Sequence, residues 1–173
     1  MLMQDGLKLA HPAGVGEEGE DDKEVVYLKL LTLIERLHRQ LLDVIKNELE
    51  RVGQSDVNAV QALLIYNIGD SELTAGELRS RGHYLGSNVS YNLKKLVEAG
   101  YISHQRSDKD KRSVRVSLTG EGRAVREKIA GLFDRHLASV EKVGDVSAEM
   151  MDRTNVTLSR MERFWADQVR FQL

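Results

Sequence analysis

The chain has 173 residues, of which 41% are hydrophobic and 30% charged, and its formal net charge is −2. It contains no cysteine, which excludes disulfides, thiolate metal sites and thiol redox sensing. It has neither a signal-peptide pattern nor an apolar run of the ~18 residues that a membrane span needs. We therefore expect a cytoplasmic protein that does not associate with membranes.

The small net charge hides an uneven distribution along the chain. Residues 1–24 carry seven acidic residues and two lysines, a net charge of −5, whereas residues 94–128 carry ten basic and five acidic residues, a net charge of +5. Residues 1–23 are predicted to form an acidic, Gly-containing tail, either disordered or docked as an arm on a partner subunit. The spacing of Gly14, Gly16 and Gly19 matches a dinucleotide loop, but no strand precedes it, so we interpret it as tail composition.

A long helix is predicted from about Glu24 to about Arg51, and Gly53 is expected to end it. Its apolar residues recur at spacings of three and four, as in an amphipathic helix. Its length of about 40 Å exceeds what a small core needs, so we expect it to pack against a second chain. The apolar positions include Val26, Leu30, Leu33, Leu37, Leu41 and Val44.

Three shorter helices are predicted next. The first covers residues 56–67, and the second lies in residues 73–82, where Thr74 and Glu77 have the spacing of a capping box. The third runs from about Ser87 to about Ala99, and Gly100 ends it. Its outward face is centred near Tyr91, opposite the apolar residues.

Two strands, residues 101–106 and 113–118, are predicted on either side of a charged loop. A fifth helix, capped by Thr119, covers about residues 121–143. A sixth, capped by Ser147, extends to about Arg170. Its apolar residues are expected to face inward: Met150, Met151, Leu158, Met161, Phe164, Trp165 and Val169.

This order of elements predicts a mainly α fold with a small β-wing. A winged helix-turn-helix lobe occupies residues 55–120, and long helices flank it in residues 24–53 and 121–173. Such a lobe places the start of its second helix at base edges in the DNA major groove. The basic loop is the wing, which can follow the phosphates into the adjacent minor groove. Alternatively, the outward face of this helix contacts only solvent and has no binding role.

The stretches SNVSYNLKKLVEAGYI and SDKDKRSVRVSLTGEG resemble the MarR-type transcriptional regulators. The likeness is most specific over residues 55–125 and includes the wing motif Asp110–Lys111–Arg112, followed by Leu118, Thr119 and Gly122. Two further phrases, NAVQALLIYNIGD and LTAGELRSRGHYLGSNVSYNLKKL, are similar to the LdtR-like subgroup.

The resemblance implies a homodimer whose dimerisation region comprises residues 24–53 and 121–173, and which binds double-stranded DNA at a pseudo-palindromic site. It implies that Arg112 enters the minor groove and that Asp110 steadies the wing, although the pair could also be a plain surface ion pair. Many members carry Arg where this chain has Tyr91 and His104, a departure for which Lys94 and Arg106 could compensate. The predicted DNA-contacting residues are Ser87, Asn88, Ser90, Tyr91, Lys94, Lys95, Arg106, Lys109, Asp110, Lys111 and Arg112.

The resemblance also implies a small, often aromatic or phenolic effector, for which position suggests His38, Tyr66 and His83; ordinary packing is the alternative. We find no catalytic motif and no metal-ligand spacing among the five histidines, so we expect no enzyme activity, no cofactor and no metal. Two other functions stay open. The winged lobe could bind a protein instead of DNA, or the chain could mainly sequester a ligand.

Overall fold

The computed structural model describes residues 17–74, 77–78, 86–106 and 114–171. The helices are α1 (Glu17–Arg51), α2 (Ala59–Ile68), α3 (Gly86–Glu98), α4 (Gly120–Gly144) and α5 (Ala148–Phe171). The strands are β1 (Leu73–Thr74), β2 (Ile102–Arg106) and β3 (Val114–Leu118). They form an antiparallel sheet in the order β1-β3-β2. The fold is therefore mainly α with a small wing, as the sequence predicts.

Helix α1 begins at Glu17, seven residues before the start predicted at Glu24. The sequence EEGEDD occupies its first turns. Acidic side chains are favourable there, because the first turn of a helix carries unpaired N–H groups and a partial positive charge. The start predicted at Glu24 is therefore wrong, because acidic composition is typical both of a disordered tail and of a helix start.

The chain divides into two compact units, Met1–Asp43 and Val44–Leu173. In the first unit the described residues belong to α1, and many of its large apolar side chains face solvent. These are Val25, Val26, Tyr27, Leu28, Leu33, Leu37 and Leu41.

The second unit contains the hydrophobic core. Ile45 and Leu49 from the last turns of α1 join buried residues from α2, α3, α4 and all three strands. The remaining members are Val57, Ala62, Leu64, Ile65, Ile68, Leu73, Leu78, Leu93, Leu96, Tyr101, Ile102, Val116, Leu118, Val125, Ile129 and Leu132.

Side-chain caps fix the helix starts. The Gln61 N–H donates to the Asn58 side chain at 2.9 Å, and the Asn58 N–H donates to the Gln61 side chain at 3.1 Å. Because Asn58 is the cap, α2 begins at Ala59 and not at the predicted Asp56. The predicted capping box of Thr74 and Glu77 is confirmed, with reciprocal hydrogen bonds of 2.6 and 3.1 Å. The predicted cap of α4 is confirmed too, because the Thr119 hydroxyl accepts from the backbone N–H of Gly122 at 3.1 Å.

A buried carboxylate ties the end of α1 to α4 within the second unit. Glu48, only 6% exposed, accepts two hydrogen bonds of 2.8 Å from Arg51 and one of 2.6 Å from Arg135. The hydrogen bonds from Arg51, helped by Arg135 and opposed by burial, lower the pKa of Glu48 to about 2. Glu48 therefore stays ionised although it is the one buried charged residue in the described part of the chain.

Helix α5 buries none of its described residues, so the expected inward orientation of its apolar side chains is wrong for a single chain. Met150, Phe164 and Val169 are half or more exposed, and Trp165 is half-buried. The periodicity identified an apolar face correctly, but it could not identify what covers that face.

Candidate nucleic-acid interface

Helix α3 presents one face to the core and the opposite face to solvent. Leu93 and Leu96 are buried, whereas the exposed stripe of Tyr91, Lys94, Lys95 and Glu98 follows the helical repeat of three and four residues. Tyr91 is 63% exposed, a high value for an aromatic residue. The helix therefore offers an aromatic ring and two ammonium groups along a single line.

The two lysines of this stripe share one carboxylate. Lys95 Nζ lies 3.2 Å from Glu98 Oε2, and Lys94 Nζ lies 3.8 Å from Glu98 Oε1. All three side chains are about half exposed or more, so these pairs are weak and exchange readily with other ions. The last turns of the helix thus carry a net charge of +1.

Gly100 ends α3 and turns the chain into the wing. Its φ of +82° is in the left-handed region, which glycine adopts without a Cβ penalty. The N–H of Gly100 donates to Val97 O at 3.1 Å, and that of Tyr101 donates to Leu96 O at 2.9 Å. These two bonds form a Schellman motif that fixes the direction in which the chain leaves the helix.

Tyr101 anchors the base of the wing. Its hydroxyl donates to Asp56 Oδ2 at 2.5 Å and accepts from Gln54 Nε2 at 2.8 Å, and Lys128 Nζ donates to Gln54 Oε1 at 2.7 Å. Burial and the carboxylate of Asp56 raise the pKa of Tyr101 to about 12, and the hydrogen bond from Tyr101 lowers the pKa of Asp56. This network joins the α1–α2 connection, the wing and α4. Our sequence reasoning missed it, because its members are far apart in the chain.

Helix α4 starts against the same residue. The Thr119 N–H donates to Tyr101 O at 3.1 Å, and its hydroxyl donates to Gly100 O at 2.7 Å. Gly122 lies so near Tyr101, the residue before β2, that a Cβ atom built on it would sit 2.1 Å from Tyr101 O. A glycine is required here by close approach, which gives the Leu-Thr-x-x-Gly motif a structural reason.

Strands β2 and β3 form the wing hairpin, in which Ile102 lies opposite Leu118 and Arg106 lies opposite Val114. One sheet face is apolar, since Ile102, Val116 and Leu118 are buried. Arg115 belongs to the other, polar face, where it is half exposed and 3.7 Å from Glu72. The pairing of Leu73 and Thr74 with β3 adds a third strand that the sequence did not predict, because two residues are too few for a periodicity.

The predicted DNA-contacting residues divide into three groups. Ser90, Tyr91, Lys94 and Lys95 belong to the described part of α3, and Ser87 and Asn88 occupy its first turn with side chains outside the described residues. Arg106 is the last residue of β2, and its side chain is likewise outside the described set. The loop residues Lys109, Asp110, Lys111 and Arg112 lie outside the described residues altogether.

The structure describes two of the three predicted ligand residues. Tyr66 is half-buried and packs edge-on against Phe133, with ring centroids 5.0 Å apart and an interplanar angle of 88°. His38 is exposed on α1 in the first unit, and His83 lies outside the described residues. Within the described ranges, no group of three or more His, Asp or Glu residues could hold a metal ion. No helix in those ranges is long and apolar enough to cross a membrane.

Comparisons with known proteins agree with this architecture. The MarR family model matches residues 55–113. The transcriptional activator of exopolysaccharide II synthesis ExpG from Rhizobium meliloti is 35% identical over 161 residues, which are 91% of this chain and 80% of that protein.

Two solved structures show the same fold. FabT from Streptococcus pneumoniae, in complex with DNA, is 25% identical, covers 82% of this chain and 98% of its own, and has a TM-score of 0.61. MarR from Staphylococcus aureus, in complex with salicylate and kanamycin, is 19% identical, covers 85% and 97%, and has a TM-score of 0.66.

Proposed function

This chain belongs to the MarR family and is a DNA-binding transcriptional regulator, and we propose that it acts as a homodimer on a pseudo-palindromic operator. The observation that carries the proposal is the exposed stripe of Tyr91, Lys94 and Lys95 on a helix that leads directly into a basic β-hairpin. An ordinary solvated helix face does not call for a mostly exposed tyrosine between a Ser-Asn first turn and two lysines.

In the proposed complex, the first turn of α3 and Tyr91 lie at base edges in the major groove. Lys94 and Lys95 are farther along the helix and bind phosphates, which fix the register but carry no sequence information. The wing loop reaches the adjacent minor groove, where Arg112 is attracted by the negative potential. The loop basic residues Lys109 and Lys111 add phosphate contacts, and Asp110 steadies Arg112.

The dimer is supported by apolar surface that a single chain leaves uncovered. Helix α5 exposes Met150, Phe164 and Val169, and the first unit exposes Leu33 and Leu37 on α1. Exposed apolar surface of this kind marks an interaction site. A two-fold dimer would present two copies of α3 to two half-sites about one helical turn apart.

We also propose control by a small aromatic or phenolic effector. The half-buried Tyr66–Phe133 pair supplies an aromatic wall in the second unit, and His38 and His83 are further candidates. Such an effector alters DNA affinity only if it binds one spacing of the two lobes better than another. We further propose that the protein acts in the cytoplasm.

Genomic DNA selection with the purified protein, followed by titration of the selected duplex over a salt series, tests the proposal. We expect a pseudo-palindromic motif and an affinity that falls steeply as salt rises. Arg112→Ala should weaken binding, whereas Arg39→Ala, which removes an equal charge from an exposed pair on α1, should not. Failure to retain any duplex at low salt would favour a lobe that binds protein, provided that refolded protein, freed of copurified ligand, behaves the same.

A further inference from the structure

We propose that Glu98 limits the affinity of this regulator for the DNA backbone, because its carboxylate competes with phosphate for Lys94 and Lys95. This inference rests on the proposed function and adds a residue that sets the affinity of the protein for DNA of any sequence. Glu98 is the acidic member of the exposed stripe that starts at Tyr91.

The geometry shows one carboxylate divided between two ammonium groups. Each carboxylate oxygen of Glu98 faces a different lysine, at 3.2 Å for Lys95 and 3.8 Å for Lys94. A phosphate that approaches this part of α3 must displace the carboxylate from both. This shared carboxylate lies on the same line, seven residues from Tyr91 and ~10 Å along the helix axis.

The stability of α3 does not explain an acidic residue at this position. Glu98 is the last residue of the helix, where unpaired carbonyl groups give a partial negative charge. An acidic side chain is unfavourable there, and the two lysines offset that cost only weakly because the pairs are exposed. Glutamine keeps the shape of the side chain and removes the charge, so Glu98→Gln should fold as the parent does.

Competition between Glu98 and phosphate weakens binding to all DNA sequences alike. Most non-specific affinity comes from phosphate contacts, and a regulator must leave non-operator DNA in order to find its operator. Weak lysine contacts at the end of α3 therefore leave a larger share of the affinity to the base-facing first turn and Tyr91.

The test compares Glu98→Gln with a matched control, Glu35→Gln, which removes the same charge from the exposed Glu35–Arg39 pair on α1. The full chain is titrated against a random-sequence duplex of about 30 base pairs and against the selected operator, at several salt concentrations. For Glu98→Gln we expect affinity to rise about three- to tenfold on both duplexes. Its plot of log K against log salt should steepen by roughly one unit, since about one more phosphate is neutralised. The control should match the parent.

A third protein, in which Lys94 and Lys95 are both glutamine, separates competition from plain repulsion. On that background Glu98→Gln should change affinity by less than about twofold, because the lysines that it would free are gone. An unchanged full effect would overturn competition as the mechanism. Equal binding by the parent and Glu98→Gln, or weaker binding by the variant, would overturn the inference and leave the DNA-binding proposal standing. A parent that binds neither duplex at low salt would overturn both.

Discussion

Replacing Gly122 with alanine should destabilise the winged lobe. The new methyl group would be built 2.1 Å from Tyr101 O, 3.2 Å from Tyr101 C and 3.3 Å from Leu118 Cδ2. Two of these three atoms are backbone, which cannot rotate away as the end of a flexible side chain can. Relief therefore requires the first turn of α4 to withdraw from the start of the wing.

The size of the effect follows from the contacts that this withdrawal would break. Overpacking at a close contact costs roughly 1–3 kcal/mol, and losing the 3.1 Å hydrogen bond from Thr119 N to Tyr101 O costs about 1 kcal/mol more. Alanine regains up to about 1 kcal/mol because it is the better helix former. The expected net loss in the free energy of unfolding is therefore ~1–4 kcal/mol.

Urea denaturation followed by helical circular dichroism measures this loss. With a slope of about 2 kcal/mol per molar urea, the midpoint should fall by ~0.5–2 M. Protein concentration must be the same for all variants, since dimerisation adds to apparent stability. Gly120→Ala is the control, because nothing lies within 4 Å of a Cβ at that position in the same turn. A Gly122→Ala midpoint equal to that of the parent would refute the close-contact argument.

Three further predictions concern pH, the wing base and the recognition helix. The pKa of Glu48 is lowered from 4.5 to about 2, so its stabilising effect is present above pH 4.5 and is lost as pH falls towards 2. Glu48→Gln should therefore flatten that part of the curve of unfolding free energy against pH. An unchanged curve would contradict this prediction. Tyr101→Phe removes the donor to Asp56 and should cost ~1–2 kcal/mol in urea denaturation; a neutral result would mean that the bond is not stabilising. Lys94→Ala should weaken all sequences about equally and reduce the salt slope by roughly one unit, whereas Tyr91→Ala should change the preferred motif in a selection; the reverse pattern would exchange their roles.

Local signals in the sequence sufficed for most elements of the fold. The capping pair of Thr74 and Glu77, the cap at Thr119 and the helix ends at Gly53 and Gly100 are short-range patterns with a direct backbone cause. Features that depend on distant residues escaped prediction. Strand β1 exists only because β3 pairs with it, and the Tyr101 network spans positions 54 to 128.

The candidate site shows the same division. Helical periodicity placed Tyr91, Lys94 and Lys95 on the outward face correctly. The sequence also put Glu98 on that face, but the sharing of its carboxylate between two lysines is a matter of side-chain geometry. Similarly, the apolar periodicity of α5 carried no information about whether its covering partner lies in the same chain or another.

The backbone of Tyr101 holds the end of α3 and the start of α4, and its hydroxyl ties the base of the hairpin to Asp56. Because α3 and the wing are both attached to Tyr101, the angle between them is fixed. In the proposed DNA complex, the distance from the major-groove bases at α3 to the minor-groove contact of the wing therefore stays constant. Exchanging side chains on α3 would change which bases are preferred, whereas operators with differently separated contacts would have to be accommodated outside this lobe.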